Sequence, residues 1–440
     1  MLLRFAAENI MSFRDTVEFN TFPSSKSHNH EWHKIKCDHA TALRMTAIYG
    51  ANGAGKSNLL KCISLLRAMV LSEKLGELQI HDKLYFKLDN DGGSRPSELA
   101  IEFFIDGQVF YYHVVFKDMI VKQEELSISG KTKDIPIFTR SNKDIIIWPE
   151  FFTNDGNEKS ASIFIDAIGR VIRPDMLILS FLGRYYPEEL PVVNKAFNWF
   201  QNLQVVAPSI TVEALPYLFE KDKEFASLVN EIVPELSTGI SFLRVNTIVI
   251  TEEDLKDKDT LRAIYNAAKA YPGKAQTIGM DCCIVMENDM VMMKYLEAVH
   301  KNSDGKEIAM NMREESDGTR RLIEYMPLLY SILRQGGVFV IDEIERSIHP
   351  IMIKNIMRKI SESKNAQGQI IFTTHESCLL DQDVFRPDEI WFAQKDVNQS
   401  TQLYPLSDYN IHKTANIENG YLNGRYGGIP FLSNLSDLKW

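Results

Sequence analysis

The sequence predicts an α/β fold built on a mostly parallel sheet covered on both faces, and three observations predict it. The glycine-rich loop "GANGAGKS", Gly50–Ser57, stands between a short apolar run and a helical pattern. The apolar run "VFVIDE", Val338–Glu343, ends in two acids, and "IIFTTHE", Ile370–Glu376, ends on a histidine and an acid. Near-continuous apolar strands that alternate with helices are the pattern of a buried parallel sheet.

In chain order, residues 2–22 mix apolar and polar positions at near-strand spacing, and Met45–Tyr49 is a short buried strand running into the glycines. A helix follows from Ser57 to about Ser72. The loop "KLDNDGGSRPS" is turn chemistry throughout. "ELAIEFFIDGQVFYYHVVF" then reads as a hairpin turning at Asp106-Gly107, the start of an antiparallel β subdomain. From about 186 to 270, "PEELPVVNKAFNWFQNLQ", "KEFASLVNEIV" and "EEDLKDKDTLRAIYNAAKA" carry apolar residues three and four apart, which predicts an inserted helical lobe. Strand-like segments return around 281–300, and a helix from Thr319 to about Arg334 leads into "GGVFVIDE". The expected division is therefore 1–185, a helical insertion over 186–275, and 276–440.

The 440 residues, 45% apolar and 25% charged, hold no low-complexity tract or fixed repeat, as expected of a globular chain. A net charge of -10 argues against general coating of nucleic acid, which needs a surplus of Lys and Arg. Five cysteines without C-x-x-C spacing indicate neither a disulfide framework nor a zinc cluster. The adjacent pair Cys282-Cys283 reads as core. With no apolar stretch near the roughly 18 residues of a membrane span, and Glu8 inside what would be a leader, a cytoplasmic protein is expected.

Gly50–Ser57 fits G-x-x-x-x-G-K-[ST] in full. Its glycines let backbone amides of Asn52, Gly53, Ala54, Gly55 and Asn58 curl around phosphate oxygens, beside the positive end of a helix. Lys56 is placed to reach the β- and γ-phosphates, and Ser57 to ligate Mg²⁺. Asp342 completes the Mg²⁺ shell, and Glu343 is the candidate base for an attacking water. His375, at the end of the next strand, can hydrogen-bond a γ-phosphate in either protonation state. "SDGT", Ser316–Thr319, opens a helix: it serves as an N-cap, or offers Ser316 and Gly318 to a phosphate. Arg320 and Arg321 read as solvated surface residues, or as cations that stabilise transition-state charge. No glutamine stands out as a Mg²⁺-sensing loop residue, with Gln79, Gln108 and Gln123 the candidates weighed.

Phosphate loop, small-residue helix start, Asp-Glu strand and His strand follow the order of ATP-binding-cassette ATPases. "FAAENIMSFRDTVEF" resembles the opening strand pair of the branch holding RecF, the structural-maintenance-of-chromosomes heads and the OLD nucleases. "DEIERSIHP" resembles its Walker B and D-loop. "ESDGTRR", "RPDEIWF" and "GRYGGIP" resemble the bacterial AAA-15/AAA-21 group of abortive-infection ATPases. This resemblance implies an ABC-type head with ATP and Mg²⁺ as cofactors. It implies a homodimer or higher homo-oligomer in which Ser316 and Gly318 of one copy face the nucleotide of another. It further implies phage defence of the PARIS or Septu type, with a separate Toprim-, HNH- or similar nuclease as effector and a phage protein or DNA as trigger. The alternative is a RecF-like DNA-binding ATPase. Asp381 and Asp383 mimic an acidic pair without a matching glutamate cluster, so no nuclease site is expected in the chain, and "GRYGGIP" reads as an irregular wrap or a docking tail.

Overall fold

Every residue of Met45–Tyr49 is buried, as a strand with a covered face on each side requires. It lies in a six-stranded sheet between Gln369–Thr373 and Ile390–Lys395, parallel to both. Val338–Ile341 and then Leu203–Val206 continue the parallel order on one side. Thr401–Pro405 closes the other edge antiparallel. The glycine loop, the Asp342-Glu343 pair and His375 therefore all leave the carboxyl ends of parallel strands, where ligands gather in open α/β sheets. The computed structural model describes residues 1–440 apart from 79–82, 154–157, 208–213, 256–258, 413–414 and 430–440.

By the density of its internal contacts the chain forms two units, one of Met1–Val206, Gly336–Ile344 and Met357–Trp440, the other of Ala207–Gln335 and Glu345–Ile356. In the first unit a seven-stranded antiparallel sheet accompanies the parallel one. Ser97–Ile105 and Gln108–Lys117 pair as the predicted hairpin. Asp106 and Gly107 both have positive φ (46° and 80°), the geometry that two-residue hairpin turns need. The helix Lys56–Leu71 buries Leu59, Leu60, Ile63, Leu66 and Val70 along one face, joining a core that runs from Phe5 and Phe13 to Trp199 and Phe200. Trp199 of the helix Pro191–Asn202 stacks on Phe103 of the hairpin at 4.3 Å between ring centres. Glu124 reaches from the antiparallel sheet to accept the amides of Ile178 and Leu179 and the Tyr112 hydroxyl at 2.7–3.0 Å. Those bonds cap the helix Ile178–Tyr185, while complete burial pushes the Glu124 carboxyl up from its ordinary value.

The approach to Met45 is pinned by buried polar groups. Arg386 has no exposed surface and pairs with Asp388 at 2.9 Å. It also donates to the carbonyls of Ser27 and Asn29. His33 sits between the Glu389 carboxylate at 2.9 Å and Ser361. A guanidinium held this far from water persists only when paired, and residues 24–33 are thereby fastened to the segment 386–389.

In the second unit Phe242–Val249, Cys282–Glu287 and Met290–Lys301 form most of a five-stranded antiparallel sheet. Cys283 is buried there, as expected of a core residue, whereas Cys282, on the other face of the strand, is only partly buried. The segment 186–275 is thus not purely helical. The helix Pro191–Asn202 and strand Leu203–Val206 lie in the first unit, and Phe242–Val249, paired with Met290–Lys301, is a strand that helical spacing around it obscured. Thr319–Arg334 is likewise broken, into Asp317–Glu324, Met326–Tyr330 and a wide turn over Ser331–Gln335. Pro327 cannot donate the amide that a continuous helix requires. Among the described residues, no helix is long and apolar enough to cross a membrane.

Candidate functional site

In the first unit a pocket of about 370 Å³ is lined by Ala51 through Asn58, Glu343 and His375. Three strand ends meet there, the first near the start of the chain and the other two in its last third. Gly55 is the cap residue of the helix Lys56–Leu71, with φ 104° and no side chain bonding to the first turn. A helix start left without a side-chain cap directs its amide donors and its partial positive charge at whatever enters the pocket. Gly55 is also the residue that space demands. A Cβ here would lie 2.1 Å from Thr401 Oγ1 and 2.9 Å from Ser12 Oγ, behind the loop.

That back wall was invisible to motif reasoning. Thr401 Oγ1 lies 2.9 Å from the Ala54 carbonyl and 2.8 Å from Ser12 Oγ, and the Thr401 amide donates to the Ser12 carbonyl. The loop is braced from two chain segments, so its curvature does not depend on a ligand being present. Lys56 is only 6% exposed, and its ammonium donates to the carbonyls of Gly50 at 2.7 Å and Ala51 at 3.2 Å. Its charge is held against the loop it serves.

Ser57 Oγ donates to Asp342 Oδ1 at 3.0 Å. Adjacent oxygens around an ion that binds oxygen octahedrally at 2.0–2.1 Å are about 2.9 Å apart, so the spacing of this pair matches that of two neighbouring Mg²⁺ ligands. The same Asp342 oxygen accepts from Thr373 Oγ1 at 2.6 Å, and Thr373 Oγ1 in turn accepts the Glu343 amide at 2.8 Å. Thr373 thus orients both acids, a role that its place in an apolar strand did not disclose. Glu343 has φ 51°, a left-handed conformation costing a residue with Cβ about 1–2 kcal/mol. Such strain concentrates at functional positions, and here it turns the carboxylate out of the strand and into the pocket. His375 follows Thr374 as an exposed residue that also lines the pocket.

Ser316 and Gly318 belong to the second unit. Ser316 caps the helix Asp317–Glu324, its Oγ accepting the Thr319 amide at 3.1 Å and lying 2.8 Å from the Thr319 hydroxyl. Gly318 is required by packing inside its own unit, since a Cβ there would stand 2.6 Å from the Ser347 carbonyl. Arg320 lies near Asp317 at 3.7 Å on the surface. Arg321, expected to be solvated, is 7% exposed, pairs with Glu324 at 2.9 Å and lies over the Tyr325 ring. It falls on the inward side of the helix, where an Arg stem packs as well as a hydrophobe.

Of the three glutamines weighed, Gln108 opens a strand and accepts from Lys195, Gln123 is exposed on Ile120–Ile128, and Gln79 lies outside the described residues. Neither Gln108 nor Gln123 lines the pocket. Asp381 accepts the Asp383 amide in a turn. The segment Gly424–Ile429 wraps against the strand Ile390–Lys395, with Tyr426 fully buried and stacked on Phe392, while Pro430 lies outside the described residues.

A family model described as "AAA domain, putative AbiEii toxin, Type IV TA system" matches residues 45–381, which span the glycine loop, both strand ends and the Ser316 helix. Among solved structures the chain is similar to an Smc head bound to the C-winged helix domain of ScpA, at 14% identity and TM-score 0.44 over 92% of this chain and 97% of that one. It is similar to the SMC head domain from Thermotoga maritima, at 11% identity and TM-score 0.40 over 93% and 99%. A third similarity is to an Smc head domain with an extended coiled coil, bound to the C-terminal domain of ScpA derived from Pyrococcus furiosus, at 14% identity and TM-score 0.42 over 92% and 96%. No curated protein matches the chain.

Proposed function

The chain belongs to the family described as "AAA domain, putative AbiEii toxin, Type IV TA system", and we propose that within it the chain is a Mg-dependent ATP-hydrolysing switch. One observation carries this reading: a single pocket collects the glycine loop, Glu343 and His375. The first-turn amides of the helix Lys56–Leu71 bind phosphate oxygens, and Lys56 exchanges the Gly50 and Ala51 carbonyls for the β- and γ-phosphates. Ser57 and Asp342 hold Mg²⁺, which supplies neutralisation of phosphate charge when bound. Glu343 orients a water and takes its proton as the water oxygen bonds to the γ-phosphorus and the bond to the β-γ bridging oxygen breaks. His375 hydrogen-bonds the γ-phosphate, a contact available with ATP and lost with ADP, so it biases a conformational equilibrium toward the ATP state.

Two copies close around two nucleotides, each supplying Ser316 and Gly318 to the phosphate held by the other, and the closed form controls a separately encoded effector, a nuclease, in defence against phage. The motif order and the family support this assembly. The test is the solution mass of Glu343→Gln protein with and without Mg-ATP, together with its rate of phosphate release. A mass that rises with ATP, and hydrolysis at least about a hundredfold slower than wild type, is the expected result. An unchanged mass overturns the closing dimer, and wild-type hydrolysis overturns Glu343 as base.

A further inference from the structure

We infer that the strand Phe242–Val249, at the open edge of the second unit's sheet, pairs antiparallel with the same strand of a second copy and joins two chains without nucleotide. This contact is separate from the ATP-closed dimer proposed above, so either can fail alone. Phe242–Val249 ends the strand order, with Met290–Lys301 as its one strand partner among the described residues. The Ile250 amide donates to the Val291 carbonyl at 2.8 Å, and alternation then turns the amides and carbonyls of Leu243, Val245, Thr247 and Val249 outward. Those of Leu243 are occupied: Asn230 accepts the amide at 2.8 Å and donates to the carbonyl at 3.3 Å. Among the described residues, no hydrogen bond reaches the other three from that side.

An unpaired edge is a template for another strand, and folded proteins blunt such edges with Lys, Pro, bulges or a covering segment. Val245–Val249 holds no Lys or Pro, and its register with Met290–Lys301 is unbroken. Its sequence "VNTIV" is β-branched at four of five positions, which suits a strand, and Ile248 and Val249 are 46% and 54% exposed. Charge selects the occupant. Arg244 lies near one end, half-exposed beside Glu297, whereas Glu252 and Glu253 are exposed just past the other. A parallel copy sets like charge against like. An antiparallel copy centred on Thr247 brings Val245 opposite Val249, Thr247 opposite itself, and the acidic end of each strand toward the Arg244 of the other. Opposite charges across strands favour pairing, and three outward residues a side exchange about six backbone bonds. The strand is its own complement.

So short a contact buries less than a standard interface, which sets its dissociation constant at about 10 μM. Its weight comes from combination. A chain with two different self-contacts, one needing ATP and one not, builds rings or filaments, and each contact raises the effective concentration for the other.

The test is the mass of the nucleotide-free full chain by sedimentation, followed up to about 200 μM, some twentyfold above that constant. Wild type is expected to pass from one chain to two. Val249→Lys places a charge on the edge, and Thr247→Pro removes an outward amide that its own sheet does not use. Each should weaken association at least about tenfold, with thermal unfolding run beside them to show that they fold. Ile308→Lys, at an exposed apolar position on another strand of the sheet, should leave association unchanged. Under mild oxidation Thr247→Cys should cross-link two copies beyond the wild-type background, because its counterpart lies directly across the two-fold axis. Val249→Cys should not, since its counterpart is about 14 Å away along the strand.

Wild type that stays a single chain at the highest concentration overturns the inference and leaves the edge to a strand of another protein. Association that survives both edge substitutions, or that Ile308→Lys abolishes equally, also overturns it, because the contact then lies elsewhere or is unspecific adhesion. Cross-linking of Val249→Cys in place of Thr247→Cys overturns the register.

Discussion

The helices Lys56–Leu71 and Asp317–Glu324 both begin among glycine and serine, and both offer a phosphate the same first-turn amides. Their caps differ. Gly55 brings no side chain to the first, whereas Ser316 already satisfies the Thr319 amide of the second and shares a hydrogen with the Thr319 hydroxyl. The first is complete only when something external binds. In the second, the Thr319 amide is already taken by Ser316, and the Ser316 and Thr319 hydroxyls bond each other with either as donor. A start motif therefore tells less about ligand binding than what already bonds to its first turn.

The comparison breaks most visibly at the open start, on the strand end facing it. Glu343→Gln is expected to slow phosphate release by about 10²–10⁴-fold, the usual worth of a general base, while retaining nucleotide; a filter-binding assay beside the rate measurement separates the two effects. Lys56→Ala should cost on the order of 10²–10³-fold in hydrolysis, as loss of one charge-stabilising donor does elsewhere, with little change in denaturant midpoint. A collapse of stability in Lys56→Ala would mean that the loop depends on its lysine and is not pre-built by Thr401 and Ser12.

At the capped start the expected effects are smaller and lie in stability. Gly318→Ala forces a Cβ toward the Ser347 carbonyl and should destabilise by about 1–3 kcal/mol, as overpacking does, read from urea unfolding; a neutral result would return Gly318 to a purely ligand-facing role. Ser316→Ala should cost about 1 kcal/mol, the value of an N-cap, and Ser316→Asn should recover it. If asparagine restores stability but leaves hydrolysis impaired, the hydroxyl does more than cap. A double Ser316/Gly318 variant mixes these effects and is the poorer experiment.

Much of the architecture was legible because its strands are fully buried. Met45–Tyr49, Val338–Ile341 and Gln369–Thr373 are mostly apolar and fully buried, and the residues that follow them meet in one pocket. What stayed hidden depends on tertiary approach. Thr373, Thr401 and Ser12 are ordinary strand and loop residues until folding brings them to Asp342 and Gly55. Arg321 looked solvated because charge was weighed above the face of the helix it occupies. Phe242–Val249, with its burial confined to few positions, had too weak an alternation to stand out between helices. The hydrogen bond from Ser377 to Glu418 joins positions 41 apart in sequence, beyond the reach of any local pattern.

The pairing of Met45–Tyr49 has a consequence for how the protein is made. Both strands hydrogen-bonded to it lie at 369–373 and 390–395, so a ribosome must deliver both before the glycine loop gains its neighbours. Contacts so distant in sequence form late and slowly. Fragments from interrupted synthesis that contain the whole of Gly50–Ser57 but stop short of residues 390–395 would lack a strand that holds it and bind nucleotide poorly.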